Sequence, residues 1–151
     1  MHVKRGARGD DMYLKQADLF WGLSQQFIQA LTSEATKQTF QAGETVFRSD
    51  DPADFFYVLI QGKIRLEIGD AGQGVYVSDR TGEVIGWSTL IGREKYSATC
   101  ICDQPTILLM FQKGHITRLL NRDAESASIF FKHLAAALGD RLLKLYQMIQ
   151  Q

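Results

Sequence analysis

Gly82-Glu83-Val84-Ile85-Gly86-Trp87-Ser88-Thr89-Leu90 and, shortly after, Tyr96-Ser97-Ala98-Thr99 form the stretch from which the fold can be read. Val84-Ile85 is a strand fragment, Gly86 a turn, and a very short helix follows. A loop bearing Arg93 and Lys95 then leads into a strand of small residues. Such a segment is an anion cradle, because glycine lets the backbone approach a ligand and the first N–H groups of a helix point at negative charge. The hydroxyls of Ser88 and Thr89 stand at the helix start, where they can bond an anion or cap the helix itself.

The segments on either side are short and β-like. Thr45-Val46-Phe47 is followed by the turn cluster Ser49-Asp50-Asp51-Pro52. Phe55 to Ile60 is a continuous aromatic and β-branched run, which suits a strand buried on both faces. Lys63 to Ile68 alternates, placing Ile64, Leu66 and Ile68 on one face and three charges on the other. A loop from Gly69 to Gly74 returns through Val75–Val77, and Ala98–Cys102 and Ile107–Phe111 add two more strands. Short strands at about ten-residue spacing, separated by Gly and Asp turns, indicate a sandwich or jelly roll.

Helices flank this β region. Residues 1–12 are polar and aperiodic, and are expected to form a disordered arm. A helical region opens at Asp18-Leu19-Phe20 and Leu23, with Ser24 as an N-cap for Phe27, Ile28, Leu31 and Ala35, and runs to about Phe40. Ile116–Leu120 is a short helix, and Asp123 caps a long one over 123–150. Domain boundaries follow: an arm at 1–12 and a single mainly-β domain with flanking helices at 13–151.

The order of these elements, with Gly43-Glu44 before the first strand, Gly62 after the third and the Gly86 turn, resembles the cyclic-nucleotide-binding domain. This is the sensor half of Crp/Fnr-type, catabolite activator protein-like regulators, and the likeness covers roughly residues 18–148. It implies a double-stranded β-helix (jelly roll) with a phosphate-binding cassette at 82–99. It further implies a candidate ligand-binding set of Gly86, Trp87, Ser88, Thr89, Arg93, Lys95, Tyr96 and Ser97, with Tyr146 on the last helix. Two positions depart from the pattern. Where the family has a ribose-binding glutamate, directly after the cassette glycine, this chain has Trp87. Where it has a phosphate-binding arginine, directly before the Ser-Ala pair, this chain has Tyr96.

Hydrogen bonds to charged groups contribute roughly 1.5–3 kcal/mol each, so losing both removes about 3–6 kcal/mol. That weakens binding by about two to four orders of magnitude. Leu145, near the family's base-contacting positions, cannot hydrogen-bond a purine edge. Three readings stay open. Arg93 or Lys95 swings in as the missing cation, or Trp87 and Tyr96 build an aromatic pocket for another small ligand, or Trp87 fills the vacated pocket and nothing binds.

Composition excludes several classes. The chain has 151 residues, 45% of them hydrophobic, and its 17 basic and 17 acidic side chains cancel. No bulk field favours nucleic acid or an anionic membrane. No apolar run approaches the roughly 20 residues of a membrane span, and no apolar segment follows Lys4, Arg5 and Arg8 to make a signal peptide. A cytoplasmic location is the default. Cys100 and Cys102, two apart in a strand, are too far separated for an easy disulfide and read as buried packing residues. His2, His115 and His133 have no metal-ligand spacing, so no metal and no cofactor is expected. No Ser/His/Asp grouping stands out, and enzyme activity is not expected.

The last helix carries Leu134, Leu138, Leu142, Leu145 and Ile149 at spacings suited to a helix–helix seam. At 1.5 Å per residue it is about 40 Å long, more than a small roll needs to be covered. Leu138, Leu142, Leu145 and Ile149 are therefore the candidate interface of a homodimer, with Ala135, Ala136 and Gly139 permitting close approach. The sequence stops at Gln151 before any helix-turn-helix, so this chain alone is not expected to bind DNA. The reading is a non-enzymatic, dimeric sensor of a small-molecule effector. The alternatives are the effector domain of a Crp/Fnr-type regulator without its DNA-binding part, and a ligand-free dimerisation domain.

Overall fold

The computed structural model describes residues 17–69 and 74–150, together with the backbone of 2–5. Two antiparallel sheets face one another. The first has the order β1 (His2–Arg5), β2 (Thr36–Phe40), β9 (Thr106–Gln112), β4 (Phe55–Gln61) and β7 (Val84–Ile85). The second runs β3 (Thr45–Phe47), β8 (Thr99–Cys102), β5 (Ile64–Ile68) and β6 (Gly74–Ser78). This is a jelly-roll type of β sandwich.

Period-two alternation divides the core in two. On β4, Tyr57 and Leu59 point between the sheets, where they meet Phe47, Ile64, Leu66, Cys100 and Cys102. Phe56, Val58 and Ile60 point the other way, toward the helices. That explains an uninterrupted apolar strand: both of its faces are covered. The helical layer consists of α1 (Gln25–Thr32), α2 (Lys113–Arg122) and α3 (Ala124–Ile149). Phe20, Phe56, Phe111 and Phe130, all fully buried, knit this layer to the sheet, with Phe56 and Phe111 stacked at 4.8 Å between ring centroids.

Both expected N-caps form. Ser24 Oγ accepts from Phe27 N at 3.1 Å, and Asp123 Oδ1 from Ser126 N at 3.0 Å. Cys100 and Cys102 are free and buried on one face of β8. Burial pushes both thiols up, away from reactivity. Gly62 turns β4 into β5 with φ +112°, and a Cβ there would lie 2.6 Å from the backbone of Pro105 and Thr106. Only glycine lets those chains pass so closely.

Four expectations need correction. Asp18 to Gly22 form turns, not helix: Phe20 N bonds Ala17 O and Leu23 N bonds Phe20 O, which is i to i+3 pairing. The helical run does not reach Phe40. It ends at Thr32, and β2 begins at Thr36 because alternating Thr36-Lys37-Gln38-Thr39-Phe40 completes the edge of β9. Of the expected disordered arm, His2–Arg5 is an added strand, its backbone groups pairing antiparallel with β2 from His2↔Thr39 to Arg5↔Thr36. The remainder of the arm, at 6–12, lies outside the described residues. Ile68, expected on the buried face of β5, is largely exposed at the hairpin end.

Candidate functional site

The cassette is built as its glycines require. Gly86, with φ +85°, opens a five-residue 3-10 helix, Trp87–Ile91, and Gly92 closes it. A Cβ on Gly86 would stand 3.2 Å from Phe55 O and 3.3 Å from the Tyr96 ring. The cradle is therefore occupied by protein. Tyr96 is buried, stacks on Phe47 at 3.9 Å between centroids, and donates its hydroxyl to Phe55 O. The same hydroxyl accepts from Phe55 N. Burial pushes the Tyr96 phenol up, so it stays a neutral hydroxyl. Thr89 also donates to Phe55 O, at 2.8 Å.

The cavity left at the cassette is about 20 Å³, bounded by Trp87, Ser88, Tyr96 and Ser97 among others. It has room for about one water molecule, whereas small-molecule sites run to roughly 300–1,000 Å³. Trp87 is half-buried and packs against the helix-side core. Ser88 is buried and Ser97 exposed. Arg93 and Lys95 are exposed and line a separate shallow hollow with Glu94. Gly86, Trp87, Ser88, Tyr96 and Ser97 thus come together around this small pocket, while Arg93 and Lys95 do not line it. Tyr146 is also elsewhere, half exposed on the far part of α3.

A second constellation escapes the sequence reading. Glu83, buried just before β7, receives Tyr76 Oη at 3.0 and 3.1 Å, the Ser78 hydroxyl, and Arg141 Nη2 at 2.8 Å. Arg141 Nη2 also donates to Val84 O at 2.8 Å. Burial alone would push the Glu83 carboxyl up. The Ser78 hydroxyl and the Arg141 guanidinium, helped by Arg80, outweigh it and hold the group below the usual carboxylate range. Arg80 forks Asp18 with two 2.6 Å bonds, and Asp18 N in turn bonds Gly82 O.

This network joins the N-terminal turns, β6, the start of β7 and α3. It forms one wall of a cavity of about 530 Å³ that also includes Trp21, His133, Asp140 and Lys144. Trp21 stacks on His133 at 3.9 Å. The sequence signal was available in principle: a lone glutamate in the apolar stretch Gly82–Gly86, and a lone arginine facing inward from a leucine-rich helix. Nothing in the sequence pairs two residues 58 positions apart.

The described residues hold no group of three His, Cys, Asp or Glu side chains placed to bind a metal. No helix among them is long and apolar enough to cross a membrane.

The model of the cyclic nucleotide-binding domain family matches residues 37–123, more than half of the chain. The chain is 36% identical over 56 residues to a CRP-like cAMP-activated global transcriptional regulator of Mycobacterium tuberculosis; the match spans 37% of this chain and 25% of that protein. In structure it is similar to a cyclic nucleotide-binding domain from Methylobacillus flagellatus KT. The TM-score is 0.84 at 17% identity, covering 99% of this chain and 87% of the other. The N-terminal domain of a transcriptional regulator from Streptomyces coelicolor A3(2) matches with TM-score 0.69 at 26% identity, covering 85% and 94%. The chain thus spans about a quarter of the length of the mycobacterial regulator.

The depressed Glu83 carboxyl carries a pH prediction. A carboxyl whose folded value lies below its unfolded one stabilises above the unfolded value, and that stability is lost as pH falls through the folded value. Urea unfolding midpoints should therefore decline as pH drops below about 4.5, the ordinary glutamate value. The Glu83→Gln variant should be less stable at neutral pH and should decline less steeply on acidification. Parallel profiles for the two proteins would contradict the assignment.

Proposed function

The chain belongs to the cyclic nucleotide-binding domain family, and we propose that it is a non-enzymatic, Crp/Fnr-like sensor module whose cassette no longer recognises cyclic AMP or cyclic GMP. The observation that carries this reading is Tyr96. Its ring occupies the cradle, its hydroxyl is committed to both backbone groups of Phe55, and the cavity beside it is about 20 Å³. Among the described residues no cation lines the cassette pocket in place of the arginine that the family resemblance puts there, and Arg93 and Lys95 lie on the outer surface. An aromatic pocket made by Trp87 and Tyr96 is disfavoured by the same volume. A cytoplasmic location and a single domain over 13–151, to whose first sheet His2–Arg5 adds a strand, are part of the same proposal.

The module is further proposed to act as a homodimer through the outer part of α3. Leu134 is buried and Leu138 packs against the chain's own core. Beyond them Leu142, Tyr146 and Ile149 fall on one face and are 46%, 50% and 80% exposed, with Leu145 half-buried beside them. Three large apolar groups at i, i+4 and i+7 form a seam that no other described residue covers. Ala135 and Ala136 are exposed, and a Cβ on Gly139 would meet nothing within 4 Å, which leaves room for a second backbone. DNA binding is not proposed for residues 1–151, whose charges cancel.

Titration calorimetry tests the first claim. Cyclic AMP and cyclic GMP should bind more weakly than about 1 mM, near −4 kcal/mol. The paired change Trp87→Glu with Tyr96→Arg should gain affinity for either nucleotide. A dissociation constant of about 10 µM or tighter for the unaltered protein would overturn the reading.

Light scattering tests the second. Leu142→Glu places an unpaired charge in the seam, which is strongly unfavourable when desolvated, and should give a folded monomer. Leu134→Glu, in the core, should instead lose the cooperative fold by circular dichroism. An unaltered protein that is monomeric at about 100 µM, equivalent to association weaker than about −5.5 kcal/mol, rules out the dimer.

A further inference from the structure

The large cavity between α3 and the β6–β7 side of the sandwich shares no lining residue with the small pocket at the cassette. Its donors and acceptors do not balance. Asp18 spends both oxygens on Arg80, and Glu83 spends both on Tyr76, Ser78 and Arg141. Arg141 uses only Nη2; its Nε and Nη1 are buried without a partner. A guanidinium has five N–H donors, so three of them are unused. Lys144 Nζ lies 5.8 Å from the centroid of the Tyr76 ring, over which Arg141 is also placed at 4.8 Å. It has no acceptor among the described residues. The acceptors left uncommitted at this cavity, the Asp140 carboxylate one turn earlier on the helix and the Gln147 amide oxygen, do not reach the unpaired edge of Arg141. That edge carries donors alone, and a buried polar group left unpaired is costly.

Trp21 adds a second, independent feature. One face of its indole stacks on His133 while the residue remains 56% exposed at the same cavity. A large ring held rigid and left uncovered is a platform for another flat group.

We propose that this cavity binds a small molecule carrying an oxyanion and a planar ring, with the oxyanion on Arg141 and Lys144 and the ring against Trp21. Lys144 is long and exposed, and lies beside the guanidinium over the same ring. Drawn toward an oxyanion, it uncovers the edge of Arg141 that has no partner. The ligand then bridges α3 to the strand side of the sandwich, next to the helix segment proposed to pair with a second chain. A carboxylate and a phosphate satisfy the same donors. This proposal goes beyond the cassette reading and does not depend on it.

The chain's two tryptophans stand at the two places, Trp21 on this cavity and Trp87 on the cassette. Phenyl phosphate, benzoate and uncharged benzyl alcohol are titrated into the Trp87→Phe and Trp21→Phe proteins, followed by tryptophan fluorescence and calorimetry. The expected result is a saturable signal from Trp87→Phe with at least one oxyanion and none with benzyl alcohol, while Trp21→Phe gives no fluorescence change. The tighter of the two oxyanions identifies phosphate or carboxylate. Adding Lys144→Ala, at an exposed position, should raise the dissociation constant about five- to tenfold with the circular dichroism unchanged. The proposal fails if both methods are flat in Trp87→Phe up to about 10 mM. It also fails if Lys144→Ala binds as its parent does, or if only the Trp87 reporter responds. Cyclic AMP titrated into the same pair separates the two claims, because a response from Trp87 alone overturns the cassette reading and leaves this one standing.

Discussion

The buried contact between Glu83 and Arg141 fixes the relation between the two parts of this molecule. Phe130 and Leu134 seat the first half of α3 in the helix-side core, but apolar contacts are non-directional and do not define how the helix continues. Arg141 does. Its Nη2 reaches both a carboxylate and a strand carbonyl, and these bonds hold α3 against the entry to β7. Burying two charges is expensive, and such a pair need not add net stability over an apolar substitute. Its consequence is geometric: up to Arg141 the helix is held to the sandwich, and beyond it Leu142, Tyr146 and Ile149 stand exposed among the described residues. The same contact forms part of one wall of the cavity of about 530 Å³.

At the cassette the logic is substitution in place. Gly86 and the 3-10 helix keep the backbone path that the family resemblance implies, while Trp87 and Tyr96 stand where charged recognition residues are expected. A neutral ring stacked on Phe47 and bonded to Phe55 needs no ligand to satisfy it. A buried arginine at position 96 would need an anion. The tyrosine therefore lets the cradle close over itself without leaving an uncompensated charge.

Most of the β architecture was legible because alternation and turn chemistry act locally. β4, β5 and β9 sit within a residue or so of their expected bounds, and both N-caps follow from a single side chain. β2 was misread because no glycine or proline separates Thr32 from Thr36, so the helical spacing of Phe27 to Ala35 runs on without a break. The strand is decided by β9, about 70 positions away. β1 was missed for a similar reason, since its pairing lends order to a segment with no pattern of its own. At the site, the departures at positions 87 and 96 were legible only through the family resemblance, and the small volume beside them follows from ring size. The Glu83 network was not readable, because the partner of a lone buried charge is a property of the packed helix. The exposed positions of Arg93, Lys95 and Tyr146 were likewise set by packing.

A double-mutant cycle on Glu83 and Arg141, measured by urea unfolding at neutral pH, tests the central claim most directly. Removing either partner leaves the other charge buried without its nearest counter-ion, a loss of up to about 3–5 kcal/mol. The account predicts that Glu83→Gln and Arg141→Met are each strongly destabilising, and that the double variant is far more stable than their sum, with a coupling of about 2–3 kcal/mol. Single losses that add to within about 0.5 kcal/mol would mean that the pair does not hold the helix to the sandwich.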